Sequence, residues 1–217
     1  MGRFKVVIVI PAYNEEGTIA QVVESVMQYG DVIVINDASS DSTEKKAAKA
    51  GAIVINNIMN QGYDCALNSG FIEADSRGYD AVITFDADGQ HSPAAIEEYI
   101  SHLRNGVDLV LGVRPKTARI AEWLFMIYTR IRFNWKDPLC GMKGYSMKLY
   151  RKQGYFDTYS SIGTELALFA LFYNYEYIQL SININNRNDS PRFYSRMLSN
   201  LFIMRSLFKG IKMSRHK

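Results

Sequence analysis

Two carboxylates one residue apart, Asp86 and Asp88 in the run Asp86-Ala87-Asp88, follow the apolar stretch 81–85. Residues i and i+2 of an extended chain face the same way, so the two carboxylates are expected to converge on one point. Like charges held together call for a cation, and oxygen-only ligands favour Mg2+ or Mn2+, usually shared with substrate phosphates. A solvated turn with two surface acids is the alternative, and the motif alone does not exclude it. A continuous apolar strand before it and Gly89-Gln90-His91-Ser92-Pro93 after it favour the metal site.

A third acid, Asp37, ends the run DVIVIN and precedes Ala38-Ser39-Ser40-Asp41-Ser42-Thr43. A carboxylate at a strand end can accept the ring N–H of uracil or guanine, where an Asx-turn or helix cap is the bland alternative. Asp37 is assigned to the base, and Ser39 and Asp41 to capping. The three histidines, His91, His102 and His216, form no Ser/His/Asp group, no Cys/His pair and no HExxH. His91 follows the metal motif, within reach of a diphosphate there, and His102 belongs to a helix surface.

These residues sit at the ends of predicted strands. The run 5–10 (KVVIVI) has the unbroken β-branched pattern of a strand buried on both faces, ended by Pro11. Further strands are predicted at 31–35, 52–55, 81–85 and 108–111. Between them lie helices: one carrying Ile19, Val22, Val23, Val26 and Met27 on one stripe and stopped by Gly30, one from the Ser39–Thr43 caps to Gly51, one over 63–74, and one from Ser92-Pro93 to near Gly106. Strands alternating with short amphipathic helices predict a doubly wound, mostly parallel α/β sheet, Rossmann-like, which binds ligands at the carboxyl ends of its strands. The polar clusters 11–16, 36–41 and 86–91 fall there. Beyond Leu111 the pattern changes: 120–132 is aromatic and mixed, 136–144 is a loop, 163–175 a helix and 178–184 a final strand.

The chain has 217 residues, 47% hydrophobic and 22% charged, which excludes collagen-like, disordered and disulfide-stapled classes. Cys65 and Cys140, far apart and outside any CxxC, read as reduced thiols. No signal-peptide core follows the N-terminus, and the longest apolar run, 166–173, falls short of the roughly 20 residues a span needs. Between 187 and 217 eight Lys/Arg face one acid, Asp189, so the net charge of +3 hides a mildly acidic body and a basic tail. A helix begun at Arg196 would place Leu201, Ile203, Met204, Leu207, Phe208 and Ile211 on one face beside a stripe of Arg205, Lys209 and Lys212. Such a basic amphipathic helix fits a membrane surface; packing of the apolar face on the domain is the other reading. The expected organisation is one domain over 1–195 with a basic amphipathic helix over 196–217. The aromatic stretch 123–135 fits either the membrane interface or the core.

Four motifs in order carry a resemblance: Ile10-Pro11-Ala12-Tyr13-Asn14-Glu15-Glu16, Ile35-Asn36-Asp37-Ala38-Ser39-Ser40-Asp41-Ser42-Thr43, Asn60-Gln61-Gly62-Tyr63 and Phe85-Asp86-Ala87-Asp88-Gly89-Gln90-His91. Together they resemble family 2 glycosyltransferases, most closely the branch of dolichyl-phosphate mannose synthases and bacterial polyprenyl-phosphate sugar transferases. The resemblance implies a GT-A fold and a UDP- or GDP-sugar donor. It implies that Pro11, Ala12, Tyr13 and Glu15 line the nucleotide pocket with Asp37 on the base. Asp86 and Asp88 would hold Mg2+ or Mn2+ on the diphosphate, with Ala87 and Gln90 beside it.

Lys136-Asp137-Pro138-Leu139-Cys140-Gly141-Met142-Lys143 resembles the branch's acceptor-side loop, which makes Asp137 a candidate catalytic residue. Arg114, Arg187 and Arg192 match basic positions that meet an acceptor phosphate; an ordinary solvated surface is the alternative for each. Asp64, Asp189 and Pro191 depart from the family pattern. Glu165 stands near the catalytic carboxylate of members with saccharide acceptors, and equally fits a first-turn acid complementing its helix dipole.

The expected activity is inverting, metal-dependent transfer to a polyprenyl phosphate by a peripheral protein at the cytoplasmic membrane face, alone or with a membrane protein partner, and without nucleic acid. Transfer to a saccharide hydroxyl with Glu165 as base is the alternative, followed by a non-catalytic nucleotide-sugar-binding subunit. A dinucleotide oxidoreductase lacks its GxGxxG after the first strand, and a nucleotidyltransferase its Gly- and Arg-rich loop.

Overall fold

The computed structural model describes residues 4–115, 120–184, 203–209 and 211–212. Seven strands, β1 (Val6–Ala12), β2 (Asp31–Asn36), β3 (Ile53–Asn56), β4 (Ala81–Thr84), β5 (Leu109–Val113), β6 (Lys143–Ser146) and β7 (Tyr177–Ser181), form one sheet in the order β3-β2-β1-β4-β6-β5-β7. All neighbours are parallel except β6, which runs antiparallel to both β4 and β5. This is the mostly parallel, doubly wound α/β sheet that the sequence predicts.

The residues of β1 explain its central place. Val6, Ile8 and Ile10 enter one core cluster and Val7 and Val9 the other, so the strand is covered on both faces. Helices α1 (Ile19–Val26), α2 (Thr43–Lys49) and α4 (Ile96–Arg104) pack on the first face; α3 (Tyr63–Ser76), α6 (Met147–Gln153) and α7 (Glu165–Phe172) pack on the second. Strand order reverses between β1 and β4, and the crevice at the carboxyl ends of such strands is where open α/β sheets bind ligands.

Several expectations are corrected. Pro11 does not end β1: it pairs with Ile35 and Ala12 with Asn36, beyond the point where pairing with β4 stops at Val9. A missing N–H is tolerated where a strand has lost a neighbour. β4 ends at Thr84, and the mixed stretch after β5 is a helix, α5 (Ile120–Phe133). The segment expected as a loop over 136–144 runs into β6, whose buried lysine and glycine hide any strand pattern.

The basic tail is described at 203–209, which is helical, and at 211–212. There Ile203 and Leu207 are buried against Phe125 of α5, with Leu139 and Ile162 alongside. The apolar face thus packs on the domain, while Phe208 stays 62% exposed. The rest of that helix and its boundary at 195/196 lie outside the described residues.

Candidate active site

The acidic motif is shaped by a turn. After β4 the chain turns at Ala87 and Asp88, with Gly89 at φ +73°, and the Gln90 N–H donates to Asp88 Oδ1 at 3.0 Å. Strand alternation therefore does not bring the two carboxylates together, because the extended backbone has already ended. Ala87 is buried, and Asp88 and Gln90 are half-buried.

Asp86 is held from three sides. Its Oδ2 lies 2.8 Å from His91 Nε2, which must be the protonated ring nitrogen because a carboxylate only accepts. Oδ1 accepts from the Tyr63 hydroxyl at 3.2 Å. Gly141 packs beneath, where a β-carbon would overlap both carboxylate oxygens. Burial pushes the Asp86 pKa up, but the hydrogen bond and charge of His91, then Lys143 and Tyr63, outweigh it and hold the group below the ordinary carboxylate value. Burial, followed by the charge of Asp86, raises Tyr63 well above the usual phenol value. Asp86 stays ionised and keeps 27% of its side chain exposed.

A hard divalent cation suits this donor set. Among the described residues no group of three or more His, Cys, Asp or Glu assembles; the Asp86 and Asp88 carboxylates are the protein groups that would hold such an ion. Oxygens from substrate phosphate and water would complete the shell, as is usual for Mg2+. An ion there would meet a carboxylate already oriented by hydrogen bonds from His91 and Tyr63, as metal-binding carboxylates usually are.

On the other side of the crevice, Asp37 is 3% exposed and accepts four contacts. They come from Asn57 Nδ2 (2.8 Å), the Gln61 N–H on both oxygens (3.0 and 3.1 Å) and the Gly62 N–H (2.8 Å). That fills the acceptor capacity of a carboxylate. Asp37 thus organises the 57–62 loop, and a base reaching it competes with that loop. Asn14, at φ +54°, links the first two polar clusters: its N–H donates to Ser39 Oγ and its Oδ1 accepts from the Ser40 N–H. The Glu15 N–H donates to Thr43 Oγ1, and its carboxylate accepts from the Thr18 hydroxyl at the start of α1. Pro11 and Ala12 form the end of β1, and Tyr13 stands exposed beyond them. Asp41 caps the Thr43 N–H as expected.

Two further candidate carboxylates, Asp137 and Glu165, do not stand open. Asp137, 2% exposed, is gripped by Arg114: Nε to Oδ2 at 2.7 Å, a terminal nitrogen to Oδ1 at 2.8 Å and the backbone N–H to Oδ2 at 3.0 Å. Asp137, expected as a catalytic residue, is thus placed as the anchor of Arg114. Glu165, also 2% exposed, accepts from the Thr158 N–H and hydroxyl at 2.6–3.0 Å. Burial raises its pKa in spite of those bonds. The reading of Glu165 as a base meets the same obstacle, since both oxygens are engaged within its own loop.

That loop is organised by carboxylates. Asp157 accepts from the N–H groups of Tyr159, Ser160 and Ser161, and Asp64 from those of Ile162 and Gly163. Ser160, Ile162 and Gly163 all have positive φ. Asp64, a departure from the family pattern, is thus a cross-chain tie. Arg187 and Arg192 lie outside the described residues. Tyr63, Gly141 and Lys143 lay inside quoted motifs without a role; the glycine following Asp-Pro-x-x was the available signal for close packing.

A doubly wound sheet with an oriented acidic turn at its switch point and a pinned loop after β3 is the architecture of a GT-A glycosyltransferase. The chain belongs to glycosyl transferase family 2, which it matches over residues 7–157. It is 30% identical over 162 residues to undecaprenyl-phosphate mannosyltransferase of Micrococcus luteus, covering 65% of this chain and 66% of the relative. To dolichol-phosphate mannosyltransferase of Pyrococcus furiosus it is 31% identical over 132 residues, 56% of this chain and 36% of that one. In each case the chain spans less than two thirds of the relative. Among solved structures, glucosyl-3-phosphoglycerate synthase from Mycobacterium tuberculosis, in complex with Mg2+ and UDP, superposes with a TM-score of 0.77 at 19% identity. The match covers 95% of this chain and 79% of the synthase.

Proposed function

We propose that this glycosyltransferase moves a sugar from a UDP- or GDP-sugar onto a polyprenyl phosphate at the cytoplasmic face of a membrane, with inversion at the anomeric carbon. One observation carries the acceptor class: the two carboxylates expected as further catalytic residues, Asp137 and Glu165, are both buried and hydrogen-bonded. A saccharide hydroxyl needs a base to take its proton. A phosphate monoester, with a second pKa of about 6, arrives deprotonated and serves as its own nucleophile. The names of the M. luteus and P. furiosus relatives point to the same acceptor class.

In this reading Asp86 and Asp88 hold the Mg2+ or Mn2+ ion, and His91 and Tyr63 orient Asp86. When bound, the ion neutralises charge growing on the departing diphosphate. Pro11, Ala12, Tyr13, Glu15 and the loop pinned by Asp37 form the nucleotide pocket, with Ala87 and Gln90 at the diphosphate. Arg114, steadied by Asp137, holds the acceptor phosphate with Arg187 and Arg192. The phosphate oxygen attacks the anomeric carbon on the side opposite the diphosphate; one C–O bond forms as the other breaks, and both electrons of the broken bond leave with the diphosphate.

Among the described residues no helix is long and apolar enough to cross a membrane. Contact with the lipid surface is supported by exposed Trp123, Leu124 and Ile131 on α5, beside exposed Arg130, and by Phe208 near Arg205 and Lys212. A membrane protein partner on the same surface fits this reading.

The test is transfer of labelled sugar from a panel of UDP- and GDP-sugars, with Mg2+ or Mn2+, with and without polyprenyl phosphate. Label enters the lipid phase and disappears from it in Asp88→Asn. The second reading, a saccharide acceptor, requires Glu165 to leave Thr158. Near-complete loss of turnover in Glu165→Gln, with donor affinity kept and no lipid-phase product in the parent, would establish it instead.

A further inference from the structure

Lys143 is a buried cation that the mechanism above leaves without a task. It lies on β6 opposite Thr84 of β4 and is 3% exposed. Its ammonium donates to the Cys140 carbonyl at 2.6 Å and stands 5.9 Å from the centre of the Trp135 ring. Burying a lysine is unfavourable unless what it holds compensates, so its partners define its purpose. The Thr84 hydroxyl, also buried, donates to the Gly141 carbonyl at 2.6 Å and accepts from the Lys143 backbone N–H at 3.1 Å.

The carbonyls of two consecutive residues, Cys140 and Gly141, are therefore each fixed by a buried donor. Gly141 is the residue on which the Asp86 carboxylate rests, with no room for a β-carbon between them. Thr84 lies two residues before Asp86 in the chain, so the clamp ties the floor under the carboxylate to the strand that delivers it.

We propose that Lys143 and Thr84 are positioning residues for cation capture: they lock the Cys140–Gly141 backbone beneath Asp86 and so hold its carboxylate where a divalent ion is bound. The inference rests on the metal-dependent reading of Asp86 and Asp88. It makes a prediction whose sign is opposite to simple electrostatics. A positive charge near Asp86 repels a cation, so deleting it without structural consequence would tighten metal binding; loss of the clamp weakens it.

The experiment is titration of the protein with Mn2+ in the presence of UDP, followed by electron paramagnetic resonance of the free ion, with thermal melting of each variant. Lys143→Met and Thr84→Val each weaken Mn2+ binding by about 10-fold or more, the range seen when groups that orient metal ligands are removed. Thr84→Ser, which keeps the hydroxyl, restores affinity close to the parent. Should Lys143→Met fail to fold, the Thr84 pair decides alone. Folded variants that bind Mn2+ as tightly as the parent, or tighter, overturn the inference and leave the metal reading standing. A parent that binds no Mn2+, or binds it no better than Asp86→Asn, overturns both.

Discussion

The α-carbon of Gly141 lies against the carboxylate of Asp86, on a different strand connection and 55 residues further along the chain. Gly141 has no positive φ, so its backbone tolerates alanine, and the conflict is purely with Asp86. The half-buried carboxylate is the part able to yield, and moving it breaks its bonds to His91 and Tyr63. Gly141→Ala is expected to lower kcat/KM by about 100-fold, the usual consequence of an ångström-scale misplacement. Circular dichroism and melting should show an intact fold. Parent-like turnover in that variant would remove Asp86 from the chemistry.

Asp37, assigned from the sequence to the nucleotide base, organises the 57–62 loop. In Asp37→Asn an amide N–H2 replaces one accepting oxygen and faces the Gln61 and Gly62 N–H donors, or Asn57 if it flips. Leaving a buried donor unmatched costs about 1–3 kcal/mol. The expected outcome is a lower melting temperature together with a raised KM for the donor, and little change for the acceptor. Measuring both KM values separates this from a general loss of folding.

The strands and the three polar clusters at their ends were legible because a doubly buried parallel strand writes its whole length in β-branched residues, as in VVIVI of β1 and VIVI of β2. β6 was not, since Lys143-Gly144-Tyr145-Ser146 carries no such run and its burial depends on neighbours from β4 and β5. Motif spacing located Asp86 but not what holds it, for Tyr63, His91 and Gly141 converge only through tertiary structure. The surroundings of Asp137 and Glu165 were hidden for a related reason: residue type shows that a carboxylate is present, while the donors that engage it, Arg114 and Thr158, follow from no local pattern.

Asp64 supplies a pH signature. Burial and the nearby Asp157 raise its pKa to about 6, although the Gly163 and Ile162 N–H groups oppose the shift. The native state therefore binds a proton more tightly than the unfolded chain, and stability from this group is full below the unfolded value near 4 and lost as pH rises through about 6. Asp64→Asn removes that dependence. In urea unfolding, the stability difference between parent and variant should move by about 2 kcal/mol in the variant's favour between about pH 4.5 and about pH 7.5. A difference that stays flat with pH would refute the assignment.

The Arg114–Asp137 pair is a structural unit as well as the proposed acceptor contact. Asp137→Asn leaves a largely buried guanidinium without its bidentate partner, an arrangement that costs about 3–5 kcal/mol. Combining it with Arg114→Met should destabilise by at least about 1 kcal/mol less than the two single changes added together. Arg114→Lys is the functional counterpart. It keeps the charge but loses the planar fork, so KM for polyprenyl phosphate should rise while donor KM holds.

The segment 203–209 separates packing from surface contact within two adjacent residues. Leu207 is buried against Phe125, and its truncation to alanine should cost about 2–4 kcal/mol in denaturant unfolding. Phe208 is 62% exposed and its loss should leave stability within about 0.5 kcal/mol. If this face meets lipid, Phe208→Ala, alone or with Trp123→Ala and Ile131→Ala on α5, weakens co-sedimentation with vesicles containing anionic lipid. Transfer to a short-chain, water-soluble acceptor phosphate stays unchanged. Vesicle binding equal to the parent in the triple variant would place the membrane contact elsewhere, whereas a matching loss with the soluble acceptor would mean that these residues serve the catalytic domain itself.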